Sequence, residues 1–278
     1  MHRSTCLLRI GTRQVHGVWH APSWAGGRKI EAAAEFSAVE PQENAPSLRG
    51  AIDAVLGTIL PQWTLTSPFV RVSLAGSHVM AAILPFVKLP ASAADRGLVI
   101  TQRFCREHRL EPSSIAVIGC PQRNSKNVSP NILCLAADRR LLGEIKSALT
   151  GRGLYPDVIG PEYLLSLAEA AGNELEMPAI AVFEQSGCNT ILVWDKQGTI
   201  IHVATVGTAG EKDLEVQRRM AARIKRYAQI VAAQGAPLAV YIDSPFAVDL
   251  THPAHGLKLL RWPAPRQIRD QRSNGPDR

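Results

Sequence analysis

The chain has 278 residues, 46% of them hydrophobic, 20% charged and only 5% aromatic, with a formal net charge of +7. This composition excludes a disordered, collagen-like or coiled-coil protein, and the length allows one large domain or two modest ones with a substantial buried core. Five of the seven excess positive charges lie after residue 210, so the first three quarters are nearly neutral. The longest apolar run, 79–87, is less than half of the ~20 residues that a membrane-spanning helix requires, and Pro85 interrupts it. The apolar run at 6–10 contains Arg9 and is too short for the core of a signal peptide, so export is not expected. Five widely spaced cysteines without a Cys-x-x-Cys pair argue against a zinc ribbon or a disulfide framework and for reduced, mostly buried thiols.

In chain order, residues 7–10 and 15–19 surround Gly11-Thr12, the sequence form of a β-hairpin. Leu48, Ile52, Val55, Leu56 and Ile59 recur at helical spacing within 46–60. A second hairpin is expected from 70–74 and 79–84 around Ala75-Gly76-Ser77. Ser92 suits the cap of a helix running to about His108, with Asp95 three residues on. Residues 115–120 and 132–135 read as a hairpin whose tip is the polar loop 121–130. Leu141, Leu142, Ile145 and Leu149 draw a helical face closed by Gly151 and Gly153, and Pro161 opens a helix carrying Tyr163, Leu164 and Leu167. The polar stretch 173–178 is the expected boundary between two lobes. Beyond it, 190–194 and 199–206 form another hairpin, Val216, Met220, Ile224, Tyr227 and Val231 mark the seam of the longest helix, and 238–242 and 257–262 read as strands. Hairpins alternating with helices indicate α/β layers.

Familiar catalytic and metal-binding motifs are mostly absent. There is no Walker loop and no Gly-x-Gly-x-x-Gly after a strand. His16 and His20 are four apart but lie on a strand with Pro22 following, and His252 and His255 flank Pro253 in a loop, so neither pair reads as helical metal ligands. Ser186 lacks the glycine of a nucleophile elbow two residues before it, because Glu184 stands there.

Residues 69–90, FVRVSLAGSHVMAAILPFVKLP, resemble the corresponding stretch of PilM-type pilus-assembly proteins and of the cytoplasmic domain of the type II secretion L protein. In register with it, 7–19 is similar to the first hairpin of that family, 141–170 to its helix, Gly-Leu-x-Pro turn and interlobe helix, and 181–207 to the hairpin opening its second lobe. The resemblance covers about residues 5–245 and implies an actin-like α/β fold: two duplicated, ribonuclease-H-like lobes with a small inserted α+β subdomain, the second lobe reduced. The implied division is 1–78 plus 154–175 for the first lobe, 79–153 for the inserted subdomain and 178–263 for the second lobe; the composition of 264–278, with almost nothing to bury, indicates a disordered basic tail.

In active members of that wider superfamily, ATP and Mg²⁺ lie between two hairpins, each led by Asp-x-Gly. The resemblance places Gly11 and Thr12 in the first phosphate turn, with Arg9 at the Asp position. It places Glu184, Ser186 and Thr190 at the second turn, and Gly207 where a glycine pair follows the hairpin. An Arg cannot hold a cation, and with the second turn's Gly replaced by Ser186 the backbone approaches phosphate less closely. These six residues are therefore expected to be a vestigial nucleotide site, with no catalytic residue, metal or cofactor: a pseudo-ATPase. The resemblance then implies a non-catalytic cytoplasmic scaffold, peripheral to the inner membrane, in a type IV pilus or type II secretion assembly platform. Its implied partner is the short cytoplasmic tail of a bitopic, PilN-like membrane protein, bound in a groove beside the small subdomain. The basic helix around 218–226 could also face anionic lipid. Two alternatives belong to other classes. One is an ATP-binding or phosphotransfer enzyme of the same fold; the other is a nucleic-acid-binding protein using the basic C-terminal region, where Arg266, Arg269 and Arg272 lack interleaved aromatics.

Overall fold

The computed structural model describes residues 4–21, 29–36, 47–60, 68–86, 88–123, 128–170, 175–185, 187–207, 213–232, 238–243 and 257–261. Ser186, the loop tip 124–127, the stretch 171–174 of the expected lobe boundary, both loop histidines and the tail at 264–278 lie outside the described residues.

The first sheet starts with β1 (Thr5–Ile10), antiparallel to β2 (Gln14–His20), which carries β3 (Lys29–Glu35) on its far side. On its other edge β1 pairs in parallel with β4 (Phe69–Leu74), and β4 with β8 (Val158–Pro161). Between β3 and β4 runs α1 (Leu48–Ile59), started by Ser47, whose Oγ accepts the Gly50 N–H at 3.1 Å. The residues at helical spacing, Leu48, Ile52, Val55, Leu56 and Ile59, are all buried, against Cys6, Leu8, Val15, Val70 and Val72.

The second sheet repeats this plan. Strands β9 (Ala179–Gln185), β10 (Cys188–Trp194) and β11 (Ile200–Gly207) are antiparallel, and β12 (Leu238–Asp243) and β13 (Leu257–Arg261) extend the sheet in parallel from β9. The orders β3-β2-β1-β4-β8 and β11-β10-β9-β12-β13 match strand for strand. The long helix α5 (Asp213–Ala232) follows β11 as α1 follows β3, burying Val216, Met220, Ile224, Ala228 and Val231 on the sheet. Two copies of one five-stranded unit with the crossover helix in the same place constitute a duplicated α/β fold.

A third, antiparallel sheet holds β5 (Val79–Pro85), β6 (Ile115–Arg123) and β7 (Val128–Asp138) in the order β5-β7-β6. Its outer face is covered by α2 (Ala93–His108), capped by Ser92 as the sequence indicates, through Ile100 and Phe104. Its inner face bridges the lobes. Ala81, Ile83, Leu133, Cys120 and Leu135 pack with Tyr163, Phe183, Leu192, Trp194 and Tyr241, while Val79, Leu135 and Ala137 reach the first core. Gln122 adds a paired clamp: its Nε2 donates to the Ile200 carbonyl at 2.8 Å, and its Oε1 accepts the Ile200 N–H at 2.6 Å.

Three local expectations differ from this arrangement. Residues 70–74 and 79–84 are not a hairpin, because β4 already has parallel neighbours on both edges; the chain instead leaves through a single 3₁₀ turn, Gly76–His78, and enters the third sheet. Helix α3 (Arg139–Gly151) falls within the expected subdomain range 79–153, yet Ile145, Ala148 and Leu149 belong to the first lobe's core beside α1. The polar segment 121–130 is mostly strand, with β6 continuing to Arg123 and β7 starting at Val128. Pro130 lies in β7 one residue beyond Asn131, where the pairing with β5 ends. Helix α4 (Glu162–Ala170) completes the first lobe. Among the described residues no helix is long and apolar enough to cross a membrane.

Candidate functional site

The duplicated sheets bring the β1–β2 turn and the β9–β10 turn face to face. Gly11 closes the first, its N–H donating to the Gln14 carbonyl at 2.8 Å, and Thr12 stands at its tip. Gly187, at φ +74°, forms the second turn; a Cβ there would lie 3.1 Å from Thr12 Cγ2 and 3.2 Å from its Oγ1. The left-handed backbone favours glycine there, and the turn packs closely on the Thr12 side chain. The two turns therefore touch, at Thr12 and Gly187.

The 3₁₀ turn between β4 and β5 closes the same space from a third side. The Gly76 N–H donates to Gln185 Oε1 at 2.5 Å, and a Cβ on Gly76 would meet that oxygen, Thr190 Oγ1 and Cys188 Sγ at 2.6, 2.7 and 3.2 Å. His78 Nε2 lies 2.7 Å from the Gly11 carbonyl, fastening this turn to the first hairpin. Burial pushes the Cys188 thiol and the Tyr163 phenol above their ordinary ranges.

The expected residues occupy distinct places around this junction. Gly11 and Thr12 are at the contact. Thr190 is fully buried beside Gly76, its hydroxyl 3.3 Å from that of Thr205 on β11. Glu184 is opposite Asn189 in the β9–β10 ladder; strand alternation sends it to the face opposite Gln185, the residue that reaches the other lobe. Gly207 pairs with Cys188 at the end of β11, and its carbonyl accepts from Arg219 Nη2 at 2.7 Å. Arg9 is 3.4 Å from Glu162 Oε1, so its charge is turned toward the start of α4 in its own lobe. Of Gln185, Gly187 and Gly76, which make the closest contacts, only Gly76 is read from the sequence as a turn residue; Gln185 and Gly187 do not stand out there.

A second feature is an apolar groove of about 320 Å³ between the first lobe and the small subdomain. Leu74, Ile159 and Pro161 line one wall and Ala116, Ile118 and Leu135 the other, with Lys146 of α3 the charged group among its lining residues. Both walls include edge strands, β8 of the first sheet and β6 of the third. Ile118 is 63% exposed, and Tyr155 and Val158, flanking the Pro156 that lines the groove, are also exposed. The resemblance implies a groove beside the small subdomain but assigns none of its residues, because its walls come from segments some 40 residues apart that meet only in the fold.

No protein-family model matches the chain, and no curated protein is similar to it in sequence. Solved structures do share its fold. The PilM–PilN type IV pilus biogenesis complex matches 86% of this chain and 81% of its own, with TM-score 0.54 and 13% identity. The cytoplasmic domain of EpsL, an inner membrane component of the type II secretion system of Vibrio cholerae, matches over 92% and 85%, with TM-score 0.51 and 11% identity. A Bacteroides thetaiotaomicron protein with actin-like ATPase fold and unknown function matches over 88% and 83%, with TM-score 0.55 and 9% identity. At these identities the likeness is one of architecture, and together with the two matching five-stranded sheets it establishes that the chain has the actin-like ATPase fold.

Proposed function

We propose that this protein is a non-catalytic scaffold of a type IV pilus or type II secretion assembly platform, cytoplasmic and peripheral to the inner membrane, docking the cytoplasmic tail of a bitopic membrane partner. The observation that carries the reading is the apolar groove beside the small subdomain, with Ile118 exposed on its wall and Lys146 at its side. Such a groove fits a short extended segment with apolar residues and one acidic group for Lys146. Likeness of fold to PilM, solved with PilN, and to the EpsL cytoplasmic domain supports this choice of partner class. The exposed Arg218, Lys225 and Arg226 on α5 are consistent with a weak attraction to an anionic leaflet.

The pseudo-ATPase part of the proposal rests on the facing turns. With Thr12 against Gly187, Gln185 on the Gly76 amide and a cation at position 9, the described residues do not fit a Mg²⁺-nucleotide. Calorimetry with millimolar Mg-ATP is expected to give no binding heat; a saturable heat would favour the ATP-binding or phosphotransfer alternative.

Affinity capture of the full chain from gently solubilised native membranes tests the docking role. Recovery of a bitopic envelope protein is expected, and Ile118→Glu should reduce it about tenfold or more while leaving stability within about 0.5 kcal/mol, since the side chain is largely exposed. A partner set without envelope proteins, or capture unaffected by Ile118→Glu, would sink the reading.

A further inference from the structure

Away from the groove, between the end of β5 and α2, lies a cavity of about 620 Å³ lined by Phe86, Lys88, Val99, Gln102, Arg103 and Arg106. Three cations and a side-chain amide surround it, and neither acid of α2, Asp95 or Glu107, is among its lining residues. Phe86 is buried in the subdomain core, and the Arg103 guanidinium carbon sits 4.9 Å from its ring centroid, a cation–π contact that holds the fork in place. Gln102, Arg103 and Arg106 fall on one side of the helix by their spacing, and Lys88 approaches from the strand side.

Among the described residues none of these cations has a carboxylate within ion-pair distance, whereas Arg49, Arg140 and Arg152 elsewhere do. Like charges sharing one cavity repel, and an anion between them offsets that cost. Two guanidinium forks, an ammonium and an amide suit the several oxygens of one phosphoryl group better than the two of a carboxylate. We propose that this cavity binds a phosphoryl group. Two sources carry that chemistry, the headgroup of an anionic phospholipid and a soluble phosphate ester. Leu98, 58% exposed one turn before Gln102, places an apolar side chain beside the cations, as contact with a lipid surface requires. The proposal does not depend on the peptide groove.

The full chain is sedimented with vesicles of phosphatidylcholine alone or containing about one-third phosphatidylglycerol, and is titrated with pyrophosphate by calorimetry. Retention on the phosphatidylglycerol vesicles that falls about tenfold or more in Lys88→Glu/Arg106→Glu supports a lipid headgroup. Pyrophosphate binding lost in the same variant, without vesicle retention, supports a soluble phosphate ester. Both side chains are exposed, so the variant should keep the wild-type unfolding midpoint. Arg103→Lys, which keeps the charge and loses the fork, should weaken either interaction several-fold. The same charge change at Arg139 and Arg140, outside the cavity, should leave binding intact. Binding of neither probe by the wild type, equal binding by the cavity variant, or equal loss in the Arg139/Arg140 variant overturns the proposal.

Discussion

His202 shows how one residue's surroundings set a pH response. Its Nε2 lies 2.5 Å from Tyr227 Oη with the rings 4.4 Å apart, and burial together with Arg223 and Arg226 lowers its pKa below the ordinary 6.5. A proton added to the imidazole would place a positive charge in a half-buried site beside two arginines. A depressed folded-state pKa gives stability that is complete above about 6.5 and declines as pH falls through the window down to the folded value, because the unfolded chain takes up the proton first. Urea unfolding at pH values from about 7 to 5 should therefore show a smaller loss in His202→Gln than in wild type. Equal losses in both chains would contradict the assignment. The buried thiols behave similarly: Cys6 is pushed up to about 11 and Cys134 to about 12 by desolvation, which makes them poor nucleophiles in the folded chain.

Individual elements carry their own instructions, and α1 is the clearest case. Its five predicted apolar positions are buried, and Ser47 caps it. The sheet meets it at Gly17, where an added Cβ would lie 2.3 Å from Val55 Cγ1 and 2.9 Å from Ile59 Cδ1. Val55 is β-branched and has little rotamer freedom in a helix, so it cannot step aside. Gly17→Ala should destabilise the protein by about 1–3 kcal/mol through overpacking, read as a lower denaturation midpoint. Relief of that loss by Val55→Ala in the same chain would identify the contact responsible, and no loss at all would show that helix and sheet can move apart.

For the whole molecule, the small subdomain and the hairpin turns act as ties between lobes. The core around Tyr163 and Phe183 draws side chains from the third sheet, α4 and the second sheet, and Gln122 and Gln185 hydrogen-bond across the same boundaries. Unfolding should then be one transition, with coincident curves from Trp fluorescence and far-UV circular dichroism. Gln185→Ala removes the acceptor for the buried Gly76 amide and should cost about 1–3 kcal/mol without splitting the transition. Separate transitions for the two probes in wild type would mean that the lobes are energetically independent.

The amino-acid sequence by itself determined the local parts: both outer hairpins, α2 from its Ser92 cap to His108, the α5 seam, and the turn at Gly11 and Thr12. Periodicity and capping are short-range signals, and the chain carries them openly. Only the tertiary structure decided that β4 and β5 part into different sheets, that α3 joins the first core, and that Gln185 rather than Glu184 faces the other lobe. It also decided that the paired turns touch and that the open surface is a groove made by β6, β7, β8 and α3. The physical reason is common to all of these. A pattern of apolar residues states which face of an element must be buried, but the neighbour that buries it, and the groups left facing a cleft, depend on segments distant in the chain.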